Sequence, residues 1–367
     1  MKKIRIAEAI VIIVAIWLMV GCRMFPEESE QIRFVKEMGA GINIGNSLDS
    51  YGLGSYQEDA SLLEYETYWG NPPITADLFR MIKEAGFSTV RIPVTWQEHM
   101  DAEGQVSKEW MERVQTVVDM ALAEDLYVIL NTHHEEWMDL SFEEENMTLK
   151  FTYLWTRIAL CFQDYDEKLL FEGMNEPRMR DSTYEWKDGT KEMRDRINRL
   201  NAAFVNTVRS TGGRNEERYL LICPYAARYT PKSLQDLEVL KGNIIVSIHM
   251  YYPYEFAEGE EGFSQWNPDV NGKKYRREIE RYFKSFNRRF LGKGIPVILT
   301  EFGCVDKNNL NSRIEWVKTY KTNADKYGIP YIWWDNGKEY MIMDRKSYSW
   351  KYPEITAALL EQYNTEQ

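Results

Sequence analysis

From about Gln31 onward the chain alternates short apolar runs with amphipathic stretches in a regular way. The run MGAGINIGNSLD (38–49) is followed by a helical pattern over 75–86, and STVRIPV (88–94) by one over 108–125. In that second helix Trp110, Val114, Val117, Val118 and Ala121 recur at helical spacing and define one buried stripe. YVILNTHH (127–134) precedes a helix near 149–163, and LLFEGMNE (169–176) precedes one near 191–211, which stops at Gly212 and Gly213. YLLICPY (219–225), IIVSIHMYY (244–252), PVILTEFG (296–303) and PYIWWDNG (330–337) complete eight strand candidates, each with a helical segment after it. Near-continuous apolar strands alternating with helices imply a parallel sheet covered by helices. Eight such units in 367 residues fit an α/β fold of the single (β/α)8 TIM-barrel type. A doubly wound sheet would more often show a glycine-rich phosphate turn after its first strand, and GINIG lacks the required spacing. No repeat and no Gly/Ser- or Pro-rich linker detaches a second module, so residues 31–367 are expected to form one domain.

Composition narrows the partners. With 57 acidic against 45 basic residues the formal charge is −12, and no basic block is present, which argues against nucleic acid and against adsorption to anionic lipid. An uncharged or cationic substrate fits better. Twelve Trp and 23 Tyr are more than a core requires, and exposed rings are platforms for the apolar faces of sugars.

The N-terminus is a separate matter. Lys2, Lys3 and Arg5 precede an apolar run from Ala9 to Val20 that ends in Gly21 and Cys22, an export pattern too short to span a bilayer comfortably. LMVGC resembles a bacterial lipoprotein cleavage box, so residues 1–22 are expected to direct export, with a lipid tether at Cys22. An uncleaved anchor and a simple secreted form are the alternatives. The other cysteines, Cys161, Cys223 and Cys304, have no metal-type spacing and imply neither a disulfide framework nor a zinc site.

In a (β/α)8 barrel the working residues sit at the C-terminal ends of the strands. Polar residues collect there: Asn46 and Asp49 after the first strand, Arg91 in the second, His133 and His134 after the third, Asn175 and Glu176 after the fourth, His249 and Tyr251 at the sixth, Glu301 at the seventh and Trp334 at the eighth. Glu176 and Glu301 each directly follow a run that should be buried, and a glutamate is rarely buried without a partner or a task. Two carboxyl groups facing each other across a pocket are the minimum equipment for cleaving a glycosidic bond.

The same stretches carry a resemblance. GINIGNSLD, WGNPPIT, GFSTVRIPVTW, ILNTHHE, MNEPR, FVNTVRSTGG, VSIHMYYPYEF, TEFG and WWDNG follow one another over residues 38–337. In these nine motifs the chain resembles glycoside hydrolase family 5, a group of retaining (β/α)8 enzymes, and specifically its endoglucanase subfamily 4. The resemblance implies that Glu176 is the acid/base and Glu301 the nucleophile, about 5 Å apart as retaining geometry requires. It implies that Arg91 and the Tyr251 hydroxyl keep Glu301 ionised, while the charge of Glu301 raises the pKa of Glu176. Asn175 resembles the residue that binds the 2-hydroxyl beside the cleaved bond, and His249 the one that hydrogen-bonds the acid/base. His133 and His134 would hold sugar hydroxyls, Trp334 would floor the sugar site, and Asn46 and Asp49 would contact the next sugar out. Trp333 should point the opposite way, into the packing, and Trp137 is a candidate platform. Arg180 and the acidic stretch FEEE (142–145) are assigned to solvated loop faces. Thr300 and Ser47 depart from the family pattern, in which glycine and threonine are common at these positions.

The implied activity is a retaining endo-β-1,4-glucanase with a polysaccharide substrate and with no cofactor and no metal. Xyloglucan, lichenan, glucomannan or xylan as the polymer, and a non-catalytic glycan-binding barrel, are the alternatives. A metal-dependent barrel hydrolase would take His133, His134, His249 and Glu301 as ligands, yet the clustered pair on the first strand that such enzymes usually carry is missing.

Overall fold

Eight short strands form the centre of the molecule: β1 (Ala40–Asn43), β2 (Thr89–Ile92), β3 (Tyr127–Asn131), β4 (Leu169–Glu172), β5 (Leu220–Ile222), β6 (Ile244–His249), β7 (Val297–Phe302) and β8 (Tyr331–Trp333). They pair in sequence order, every pairing parallel, and β8 returns to β1 to close the barrel. This is the expected single (β/α)8 barrel. The structure is a computed structural model that describes residues 29–361 apart from 58, 102–103, 260 and 268–271. The export segment and Cys22 lie outside the described residues.

The helices are α1 (Glu30–Glu37), α2 (Leu62–Thr67), α3 (Ala76–Ala85), α4 (Lys108–Ala123), α5 (Glu144–Cys161), α6 (Lys191–Ser210), α7 (Pro231–Gln235), α8 (Tyr254–Ala257), α9 (Gly272–Arg289), α10 (Leu310–Tyr327) and α11 (Pro353–Leu360). Their ends follow local chemistry. Ser107 and Thr190 accept backbone N–H bonds at the starts of α4 and α6, and Gly86 ends α3 at φ 107°, a conformation costly for any residue with a Cβ. One assignment is corrected here. The acidic stretch at 142–145 is largely exposed, as expected, but it is a helix start and not a loop face: Glu143 caps α5 by accepting from the amides of Glu145 and Asn146, and Glu144 pairs with Arg199 at 2.5 Å. Carboxylates in a first helical turn are stabilised by the free N–H groups and the helix dipole, so α5 begins earlier than its apolar periodicity suggests. Among the described residues no helix is long and apolar enough to cross a membrane.

The barrel interior is layered. Ile129, Leu170, Leu221, Ile245, Ile298 and Ile332 fill its middle, and Val35 and Met38, on and just after α1, close the N-terminal end beneath them. Phe34 stacks on Tyr219 at 3.9 Å to finish that plug. Above the apolar layer lies a polar one of Asn43, Arg91, Asn131, Glu172, Ser247 and Thr300, all fully buried. The larger apolar core sits between barrel and helices, and Trp110, Val114, Val117, Val118 and Ala121 of α4 belong to it as their spacing predicts.

Candidate active site

Arg91 organises the top of the barrel. It points inward from β2, and its guanidinium reaches four side chains at once: Nε donates to Glu172 Oε2 at 2.7 Å, Nη1 to Asn43 Oδ1 at 3.0 Å and to Glu301 Oε1 at 2.6 Å, and Nη2 to Asn175 Oδ1 at 2.7 Å. Burial opposes its charge, but the carboxylates of Glu172 and Glu301 outweigh that and hold it ionised more firmly than a free arginine. Glu172 also accepts from Asn131 Nδ2 at 3.0 Å and from Ser247 Oγ at 2.6 Å. A buried pair is costly unless its remaining lone pairs are satisfied, and here they are. Thr300 fits this network, with its hydroxyl 2.5 Å from Ser247 Oγ.

Glu176 and Glu301 meet on either side of His249. The three offer ligand-type atoms all within 4.8 Å of one another, so a carboxylate oxygen of each glutamate lies that close to one of the other. This agrees with the close spacing of retaining glycosidases and not with the ~6.5–9.5 Å of inverting ones. A register shift at Ile248/His249 places His249 opposite Glu301 in the β6–β7 pairing. His249 Nδ1 is 2.8 Å from Glu176 Oε1 and 3.4 Å from Glu301 Oε2, and Tyr251 Oη donates to Glu301 Oε2 at 2.9 Å.

The protonation order differs from the expectation. Burial pushes Glu176 upward, but the hydrogen bond and charge of His249, with Arg178 and Arg91, draw it below the usual carboxylate range. Burial raises Glu301, and the charge of Glu176 adds to this, against His249, Arg91 and the Tyr251 hydroxyl. His249 is raised because Glu301 and Glu176 outweigh its burial. The physical reason is the imidazole, which stands between the carboxylates and takes the proton that two carboxylates alone would have shared. Glu176 Oε1 and His249 Nδ1 share a 2.8 Å hydrogen bond, and the opposite directions of the two shifts favour the proton on the imidazole side of it.

The expected sugar contacts gather around this pair. Asn175 gives its oxygen to Arg91, which leaves Nδ2 as the donor for a ligand. Asn131 Oδ1 accepts from the Val94 amide at 3.2 Å, so its Nδ2 donates to His133 Nδ1 at 3.1 Å. Burial keeps His133 neutral, and its proton then sits on Nε2. His134 is pushed down to about 4, mainly by burial, and packs against Tyr51 and Trp69 with ring centroids 5.0 and 5.5 Å away. Trp334 is half-buried and lies parallel to His133 at 5.7 Å, whereas Trp333 is fully buried, as alternation along the strand predicts. Gly45 makes room for Trp334: a Cβ there would be 2.7 Å from the indole.

Other expected positions also have partners within the protein. Asp49 is fully buried and spends both oxygens on the loop, accepting from the amides of Asn46 at 3.0 Å and Ser47 at 2.7 Å; burial lifts it to about 6 against these bonds. Asn46, at φ 57°, is held by that turn, and Ser47 Oγ accepts from Arg345 at 3.0 Å. Trp137 donates from Nε1 to the buried Glu135 at 2.7 Å and lies under Lys150. Arg180 is half-buried, and with His134, Asp139 and Glu176 it lines a cavity of about 70 Å³ between the β3 and β4 loops.

Sequence reasoning missed Glu172, Trp69 with Tyr51, and Glu258 with Tyr340, whose hydroxyl donates to Glu258 at 3.0 Å. Glu172 had a usable signal, a carboxylate inside an apolar strand four residues before Glu176. Trp69 stood in the quoted WGNPPIT motif; Glu258 and Tyr340 lie in loops that have no period to read.

Comparison with known proteins agrees with this geometry. Residues 53–340 match the family model described as Cellulase (glycosyl hydrolase family 5). Endoglucanase A of Clostridium longisporum is 41% identical over 341 residues, which cover 90% of this chain and 65% of that protein. The chain spans 40% of the length of the cellulase/esterase CelE of Acetivibrio thermocellus, to which it is 39% identical. Among solved structures, a subfamily 4 broad-specificity endoglucanase from Clostridium longisporum matches with a TM-score of 0.85 at 38% identity, covering 91% of this chain and 98% of that one. A family 5 lichenase from a Caldicellulosiruptor species, in complex with cellotetraose, matches with a TM-score of 0.85 at 36% identity, covering 92% and 96%. On this evidence of sequence and shape the chain belongs to glycosyl hydrolase family 5 and groups with its subfamily 4 endoglucanases.

Proposed function

We propose that the protein is a retaining, endo-acting β-1,4-glucanase, with Glu301 as nucleophile and Glu176 as acid/base. The observation that carries this is the approach of the two carboxylates to within 4.8 Å at the mouth of the barrel, with Arg91 and Tyr251 bound to one and His249 to the other. In the first step Glu301 attacks the anomeric carbon while Glu176 passes its proton to the departing glycosidic oxygen, giving a covalent glycosyl-enzyme and a shortened chain. In the second, Glu176 takes a proton from water, whose oxygen displaces Glu301 and leaves the sugar with its β configuration. Asn175 Nδ2 and the neutral His133 are the donors for hydroxyls of the sugar being cleaved, and Trp334 is its floor.

The polymer is a β-1,4-linked glucan whose backbone tolerates interruption or branching. Relatives support that breadth: one is named a broad-specificity endoglucanase, one a lichenase, and one, 35% identical, a xyloglucan-specific endo-beta-1,4-glucanase. The test is reducing-sugar release by a chain beginning after Cys22 on carboxymethylcellulose, lichenan, xyloglucan, glucomannan and xylan, with Glu301→Gln alongside. The wild type should cut the glucans and the variant should lose several orders of magnitude. A folded wild type that cuts none of them would point to a binding role.

The N-terminal pattern of residues 1–22 supports export, with the protein held at the cell surface through a lipid on Cys22. Cells fed a radiolabelled fatty acid should label the wild type and not Cys22→Ser; unlabelled wild type would favour simple secretion.

A further inference from the structure

Beyond the two reacting glutamates, a third carboxyl group is tied into the same corner of the barrel. Glu258 stands just past α8, in the loop after β6, and is partly buried. Its Oε1 accepts from Tyr340 Oη at 3.0 Å. Tyr340 comes from the loop after β8 and is held by its own backbone: its N–H donates to Asn336 Oδ1 at 3.2 Å, and its carbonyl accepts from Trp333 Nε1 at 2.9 Å. Its ring meets that of Tyr251 edge to face, with centroids 5.8 Å apart, and Tyr251 in turn donates to Glu301. Gly303, two residues past Glu301, leaves the space this requires, since a Cβ there would lie 3.1 Å from the Tyr340 ring. The loop after β7 closes the arrangement: the Val305 amide donates to Ala257 O at 2.9 Å, and Lys307 Nζ donates to Gly259 O at 2.6 Å. Three loops thus interlock around one line of side chains running from Glu258 through Tyr340 and Tyr251 to Glu301.

We propose that Glu258 is a positioning residue for the reacting pair, acting on Glu301 through Tyr340 and Tyr251 and on the Glu176–His249 proton through its own charge. The proposal rests on the glucanase reading of the site. The groups that face Glu258 are Tyr340 from the β8 loop, Tyr251 at the end of β6, Glu301 on β7, Glu176 after β4, and Lys307 beside it in the β7 loop. Burial raises its carboxyl to about 7, and the charges of Glu176 and Glu301 push the same way against the Tyr340 hydrogen bond. Below that pH Glu258 is neutral and adds no field. Above it, Glu258 is a fixed negative charge near an acid that must keep its proton, and a negative neighbour raises the pKa of such an acid. Ionised Glu258 therefore delays the loss of the catalytic proton as pH rises, while the ionisation of Glu301 at lower pH takes place with Glu258 neutral.

The signature is a shift of one limb of the pH profile. In Glu258→Gln the acid limb of kcat/KM on a soluble cello-oligosaccharide should stay in place, and the alkaline limb should move about half a unit to one unit toward lower pH. Tyr340→Phe removes a donor that favours ionised Glu258, so it should move the same limb the same way by less. Melting temperatures near the wild type would show that both variants are folded. Active variants whose profiles only scale, or whose two limbs move together, would overturn the role of Glu258 and leave the glucanase reading intact. A wild type inactive on every β-1,4-glucan would overturn both.

Discussion

Arg91 shows how much one side chain can settle. Its fork satisfies a structural carboxylate, Glu172, and a reacting one, Glu301, and turns Asn175 so that its amide nitrogen is left for substrate. Arg91→Ala would leave Glu172 buried without its cation and Glu301 with only His249 beside it, a loss on the order of 3–5 kcal/mol. The expected result is a lowered denaturation midpoint together with lost activity; a variant as stable as the wild type would show that the network relaxes. Glu176 and Glu301 were legible in the sequence because each ends an apolar run at the face where this fold works. Glu172 was not singled out: without knowing which face of a fully buried strand turns inward, a carboxylate in LLFEG cannot be told from one on the helix side. The place of the proton was also illegible. It depends on how His249 sits between the two carboxylates, and that follows from a register shift no periodicity announces.

At the scale of elements, type and order were readable and extent was not. The eight apolar runs are eight strands, yet β1 covers only Ala40–Asn43 of the run at 38–49. The rest of that run is loop, whose apolar Ile44 and Leu48 are buried against the core while Asp49 gathers its backbone amides. A run therefore marks what is buried, which is more than what is paired in the sheet. Helix α5 shows the opposite error: its first turn is acidic, so apolar spacing starts too late and capping chemistry gives the true start. The loops after β6 and β8 lay beyond both methods. Their order comes from each other, through Tyr340 and Glu258, over 82 residues of sequence.

For the whole molecule, the titrating groups set a direction in pH. Burial lifts Asp49 to about 6 and Glu135 and Glu258 to about 7, from about 4 in an unfolded chain. The folded state binds these protons more tightly, so their stabilisation is full at low pH and is lost as pH rises through 6 to 7. His99 and His134, held down to about 3 and about 4, work the other way: their contribution is lost as pH falls below about 6.5. Between pH 5 and 7 the three raised carboxyl groups outnumber the two lowered histidines, and above 7 little of either remains to titrate. The melting temperature should therefore fall from pH 5 through 7 and level off toward 8; a rise over that range would contradict the buried carboxyl assignments. The plug at the closed end of the barrel bears on location. Helix α1, which supplies it, begins after Ser29, seven residues beyond Cys22, and seven extended residues reach at most about 25 Å. A lipid at Cys22 would thus moor the molecule by its floor: the plugged end would face the bilayer at short range, and the mouth with Glu176 and Glu301 would open outward, toward polymers too large to approach the membrane.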